Sequence, residues 1–143
     1  MDVKSAESGI HFHVQIGNRT FPIKGVLRFD NQISNIGGGM DLKSGVFTAP
    51  KSGVYTFSFS ILKNGYSMDF MDIHLRLNGV RIGKTEAGIG PYSNSATLQS
   101  TLKLKKGDRV DLWKSRGELN RFCTNYCHHF TGLLVEEELP ANI

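Results

Sequence analysis

Cys123-Thr124-Asn125-Tyr126-Cys127-His128-His129 gathers more reactive side chains than any other stretch of this chain. A disulfide across so short a loop would add only about 2 kcal/mol, yet it would pin the loop's shape. Zinc held by both thiolates and one histidine is a second reading, because the spacing between the cysteines is a permitted one. Neighbouring histidines entering a strand point to opposite faces, so only one could join, and no fourth ligand is evident. Free thiols are the third reading. Around this segment Lys114, Arg116 and Arg121, with Tyr126 and His128, could form a basic, aromatic-edged surface. The guanidinium fork suits carboxylate and phosphate, and tyrosine faces pack on sugars; the plain alternative is a solvated loop with scattered charge. Asn64, Tyr66 and Asp69, in the loop from Lys63 to Phe70, offer contacts to neutral sugars as a rival site. His11 and His13 share one strand face and could chelate a metal or simply form a half-exposed polar face. Asn18-Arg19-Thr20 is a glycosylation sequon in a turn-like stretch. Serine, histidine and aspartate all occur, but no motif brings them together and no nucleophile elbow is present, so no enzyme is expected.

The elements that must carry these residues read as strands throughout. In Gly45–Ser60, GVFTAPKSGVYTFSFS, the side chains of Tyr55, Phe57, Phe59 and then Ile61 alternate with Thr56, Ser58 and Ser60. That period of two marks a strand with one buried face. Pro50 and Gly53 bracket a tight turn before it. The same alternation runs through Ile10, Phe12, Val14 and Ile16, through Met71, Ile73, Leu75 and Leu77, and through Ala96, Leu98, Ser100, Leu102 and Leu104. Asn78-Gly79, Lys106-Gly107-Asp108 and Gly37 to Gly39 supply turns. About eight to ten short strands and no helix imply a sandwich or barrel, without choosing among immunoglobulin-like, jelly-roll and lipocalin-like designs.

The chain's 143 residues make one domain, able to bury a core unaided. Its 39% hydrophobic and 21% charged fractions are ordinary for a globular chain. No run is long enough to span a bilayer, so membrane insertion is not expected. Met1 to Gly9 are polar and lack the apolar core of a signal peptide. The net charge of +4 is mild, which fits either simple solubility or attraction to an anionic surface. No basic helix or aromatic-interleaved motif points to nucleic acid. No internal repeat or collagen-like Gly-X-Y run is visible.

Three segments in order carry a family resemblance: Phe47-Thr48-Ala49-Pro50 feeding Gly53-Val54-Tyr55-Thr56-Phe57, then Gly107-Asp108 before Arg109–Trp113, then Phe130-Thr131-Gly132-Leu133. Together they resemble the globular head of complement C1q over roughly residues 9 to 137. That resemblance implies an all-β, ten-stranded jelly-roll sandwich of the C1q and tumour necrosis factor type, assembled as a homotrimer. It places a globular domain at 9–138, an N-terminal segment at 1–8 and a tail at 139–143. It implies a secreted, extracellular recognition protein of innate immunity, with any export signal removed. The expected ligands are microbial or acidic carbohydrates held by trimer loops. A trimeric ligand for a protein receptor, or the trimerising head of a collagen-like protein, is the alternative. No cofactor is expected. Some relatives hold calcium at the trimer apex, but the matching loop here, Gly88 to Ser95, holds no carboxylate. Met40 stands where many relatives have a tyrosine, which puts the local packing in question but not the fold.

Overall fold

The computed structural model describes residues 9–17, 22–88, 94–121 and 127–139. Its strands are β1 (His11–Ile16), β2 (Gly25–Val26), β3 (Asn31–Ile36), β4 (Met40–Asp41), β5 (Val46–Thr48), β6 (Gly53–Leu62), β7 (Met71–Leu77), β8 (Val80–Ala87), β9 (Ser95–Leu104), β10 (Arg109–Arg116) and β11 (His128–Glu137). No helix occurs among the described residues. One sheet has the order β3-β1-β11-β6-β9; the other runs β4-β5-β10-β7-β8, with β2 also pairing β10. All pairings are antiparallel. The architecture is an all-β sandwich with eleven strands among the described residues, of which β2 and β4 are only two residues long.

The alternation read in the sequence becomes the core. Tyr55, Phe57, Phe59 and Ile61 of β6 are all buried, as are Phe12 and Val14 of β1 and Met71, Ile73 and Leu75 of β7. Edge-on and tilted rings fill the space between the sheets: Phe12 lies 4.9 Å from Phe130 and 5.1 Å from Phe47 between centroids. Such aromatic pairs add stability beyond the area they bury. Gly132 of β11 faces this cluster, and a Cβ there would overlap the Phe12 ring. Tyr55 is the one aromatic of the group with a polar tip, and its hydroxyl donates to Lys51 O at 2.6 Å. Met40 is buried at the tyrosine position, and Asn35 holds it by accepting from its N–H and donating to its carbonyl.

The two ends of the sandwich differ. One end is closed by tight turns, among them Asn78-Gly79 with φ of 51° and 82°, the left-handed pair a two-residue hairpin needs. The Asn78 side chain donates to Asp108 Oδ1 and accepts from Arg109 N–H, tying two turns together. The opposite end carries the longer connections: β1 to β2, β6 to β7, β8 to β9 and β10 to β11. There an isolated bridge joins Lys63 to Leu119.

Candidate functional site

Buried polar side chains, Lys63, Lys114 and His128 among them, hold the loop end from below. Lys63 is fully buried, and its Nζ donates to Asn64 O at 3.1 Å and Ser67 O at 2.6 Å. Lys114 is 3% exposed and donates to Gly117 O. His128 is 2% exposed; Nδ1 lies 3.1 Å from Leu62 N–H and Nε2 lies 3.0 Å from Asn120 O. The geometry fits a neutral imidazole that accepts at Nδ1 and donates at Nε2. Burial, the larger cause, pulls the His128 pKa below its usual value, followed in effect by an opposing bond to Asn120 and the charge of His129. Burial likewise pulls down the Lys114 pKa. Each group gives an irregular loop carbonyl or strand-end amide a partner that a ladder would otherwise provide.

This arrangement divides the basic cluster read in the sequence. Lys114 and His128 point inward and serve the fold; they are not available to a ligand. Arg116 and Arg121 are outside, with side chains 57% and 69% exposed. Arg116 reaches the rival loop: its Nε donates to Asp69 Oδ2 at 2.9 Å, and its guanidinium lies 4.4 Å above the Phe70 ring. The Arg116 bond holds the Asp69 carboxyl below the usual carboxylate range. Asn64 Nδ2 donates to Glu118 Oε2 at 3.5 Å, while Asn64 Oδ1 accepts from Tyr66 N–H. Two sites that the sequence kept apart are therefore one surface. Ile23 stands on it at 92% exposure, and Tyr66 and Met68, which flank the lining Ser67 in the chain, are 84% and 65% exposed. A groove of about 410 Å³ runs between Ile23-Lys24, Ser67, Asp69 and the Arg116–Glu118 segment.

Several sequence candidates lie elsewhere. Cys127 is disulfide-bonded and so offers no thiolate to zinc. Cys123, Tyr126 and Asn18 lie outside the described residues, as does most of the loop from Gly88 to Ser95. His11 bonds Ser34 Oγ at 3.2 Å, and His13 Nε2 shares a hydrogen bond of 2.9 Å with His129 Nδ1 across the sheet. No group of three or more histidine, cysteine or acidic side chains fit for a metal occurs among the described residues.

The C1q domain model matches residues 11–135, most of the chain. The chain belongs to the C1q domain family. Among solved structures, the globular domain of zebrafish complement 1qA superposes with a TM-score of 0.75 at 22% identity, covering 90% of this chain and 99% of that one. Murine APRIL at pH 5.0 superposes with a TM-score of 0.71 at 13% identity, covering 90% and 100%. At these identities the likenesses speak to fold alone, and that fold is the C1q and tumour necrosis factor jelly roll. C1q domains are typically trimeric, usually secreted and typically non-enzymatic.

The histidine-bearing face has a composition that no single motif announced. On the outer side of the five-stranded sheet, Ile36, His11, Leu133, Thr56 and Thr101 form one row. Ser34, His13, Thr131, Ser58 and Gln99 form the next, then Asn31, Gln15, His129, Ser60 and Thr97. None of these positions carries a lysine, arginine or carboxylate. A shallow depression of about 410 Å³ lies on this face between His11, His13, Thr56, Ser58 and Thr131. Period-two parity could have exposed this pattern, but only once the pairing of distant strands was known.

Proposed function

We propose that this C1q domain is a secreted, non-enzymatic recognition head. It assembles as a homotrimer through the uncharged face of the five-stranded sheet and binds acidic or microbial carbohydrate at its loop end. The observation that carries the ligand site is the Arg116–Asp69 bond, which joins two loops into one groove beside Arg121 and Tyr66. An arginine fork can meet a sugar carboxylate or phosphate, and an exposed tyrosine face can stack on the ring. Assembly is supported by charge depletion, the compositional mark of an interface core. The reading requires no metal and places the protein outside the cell, in innate immune recognition.

A glycan and bacterial-polysaccharide array, run with and without EDTA, tests it, with particle mass measured by light scattering. The expected result is a three-chain particle that binds saturably and loses binding in the Arg116→Ala/Arg121→Ala double variant. Binding unchanged in that variant removes the site. Loss of binding in EDTA brings a calcium ion into it. Exposure of Ile23 and Met68 beside the groove favours a second reading, a trimeric ligand for a protein receptor. A trimer that binds no glycan would favour that one.

A further inference from the structure

We infer that the His13–His129 pair makes self-association of this chain proton-dependent, the neutral pair permitting assembly and the protonated pair opposing it. The inference rests on the proposed use of the five-stranded sheet as the contact between copies.

The two rings meet across β1 and β11 with Nε2 to Nδ1 at 2.9 Å and centroids 5.2 Å apart, tilted by 32°. One ring must donate and the other accept, which requires an acceptor nitrogen without a proton. Gln15 Nε2 lies 3.3 Å from the same His129 nitrogen, adding a second donor to it. A proton placed on His129 Nδ1 would face one donor already, and a second proton on the pair would set two cations side by side.

Among the described residues, none that faces the pair on this sheet carries a carboxylate to compensate a positive charge. On β1 the titratable neighbour on this face is His11, engaged with Ser34. From β3 the pair is faced by Asn31 and Ser34, from β6 by Ser58 and Ser60, and from β9 by Thr97 and Gln99. Asp30, just before β3, accepts from Gly17 N–H at 2.8 Å. The next row along the sheet holds Lys103 and Glu136, on either side of Val54. Burial first, and the charge of His129 second, already lower the His13 pKa below 6.5 in the single chain. Covering the face with another copy removes more water, and desolvation lowers it further.

A histidine whose pKa falls on assembly binds fewer protons in the assembled state, so assembly is intact above about pH 6.5 and lost as pH falls through the lowered value. Each coupled proton changes the association constant by about tenfold per pH unit in that window.

Analytical ultracentrifugation of the full chain between pH 7.5 and 5.0, with and without EDTA, tests the inference, with circular dichroism on the same samples. The expected result is a trimer at pH 7.5 that dissociates into folded single chains as pH falls, and His13→Gln and His129→Gln variants that remain assembled throughout. A wild-type trimer indifferent to pH overturns the proton control while leaving the assembly intact, as does equal acid dissociation in both variants. Dissociation by EDTA at pH 7.5 overturns it in favour of a metal held by the histidines. A chain that is single at every pH overturns the assembly itself. Should one variant fail to fold, the other carries the comparison.

Discussion

The outer faces of the two sheets are built from the same backbone ladders and chosen for opposite surroundings. On the six-stranded sheet, Asp72, His74 and Arg76 of β7 stand beside Glu86, Lys84 and Arg81 of β8. Arg76 grips Asp111 with two bonds of 2.7 and 2.9 Å and lies 4.4 Å over Trp113. Asp72 accepts from Ser115 and bonds His74 at 2.9 Å through one oxygen, while its other oxygen is buried with no partner among the described residues. These groups are solvated or paired laterally, and burying them under another chain would cost several kcal/mol per ion. The five-stranded sheet presents hydroxyls, amides, histidines and the exposed Ile36 and Leu133, which can be covered cheaply. On the proposed assembly one face is covered and the other stays wet, and the difference in charge pattern is what favours the five-stranded sheet as the contact.

That contrast can be broken most sharply by Ser58→Glu, at the middle of the uncharged face. Three uncompensated carboxylates in a trimer should raise the dissociation constant by about a thousandfold or more, while circular dichroism of the single chain stays native. A trimer that tolerates the carboxylate would refute the contrast. His128→Ala probes the loop end instead, and should cost about 2–3 kcal/mol in denaturant unfolding by stranding Leu62 N–H and Asn120 O. Because the folded pKa of His128 is lowered, its contribution to stability is full above about pH 6.5 and declines as pH falls through the lowered value. Acid titration of unfolding in wild type but not in His128→Gln would sharpen that assignment. Arg76→Ala should cost about 1–2 kcal/mol of stability, since its bidentate bond is mostly shielded, yet leave the particle mass unchanged. A loss of assembly there would reverse the roles of the two faces. Arg116→Ala is the mildest for the fold: its thermal midpoint should match wild type while binding at the loop end falls.

How much of this was legible depends on distance along the chain. The buried ranks of β1, β6, β7 and β9 follow from period-two alternation alone, because each strand has one wet and one dry side. β2 and β4 are too short to alternate and were invisible. Lys114 looked like a surface cation by residue type, although its parity matches Val110 and Leu112, both buried. His128 shares parity with Phe130, so the inward histidine of the pair was in principle readable. Lys63 continues the buried parity of Tyr55 to Ile61 in the same way. For Lys114 and His128 a charged or polar label outweighed position, yet such side chains can be buried and end on a backbone group. The Arg116–Asp69 bond spans 47 residues, and no local pattern encodes such a meeting. The same holds for His13 and His129.

Antiparallel pairing of β1 with β11 has a consequence for handling the molecule. Leu134 N–H donates to Ile10 O, and Glu138 N–H donates to Ser52 O, so the start of β1 and the close of β11 emerge at the turn-closed pole. Ile16 and His128 meet at the other pole, beneath the longer connections. A tether attached at either end of the described sandwich therefore acts like a stem behind a flower. A copy anchored there would turn its groove toward the bathing solution whichever end of the described sandwich is fixed.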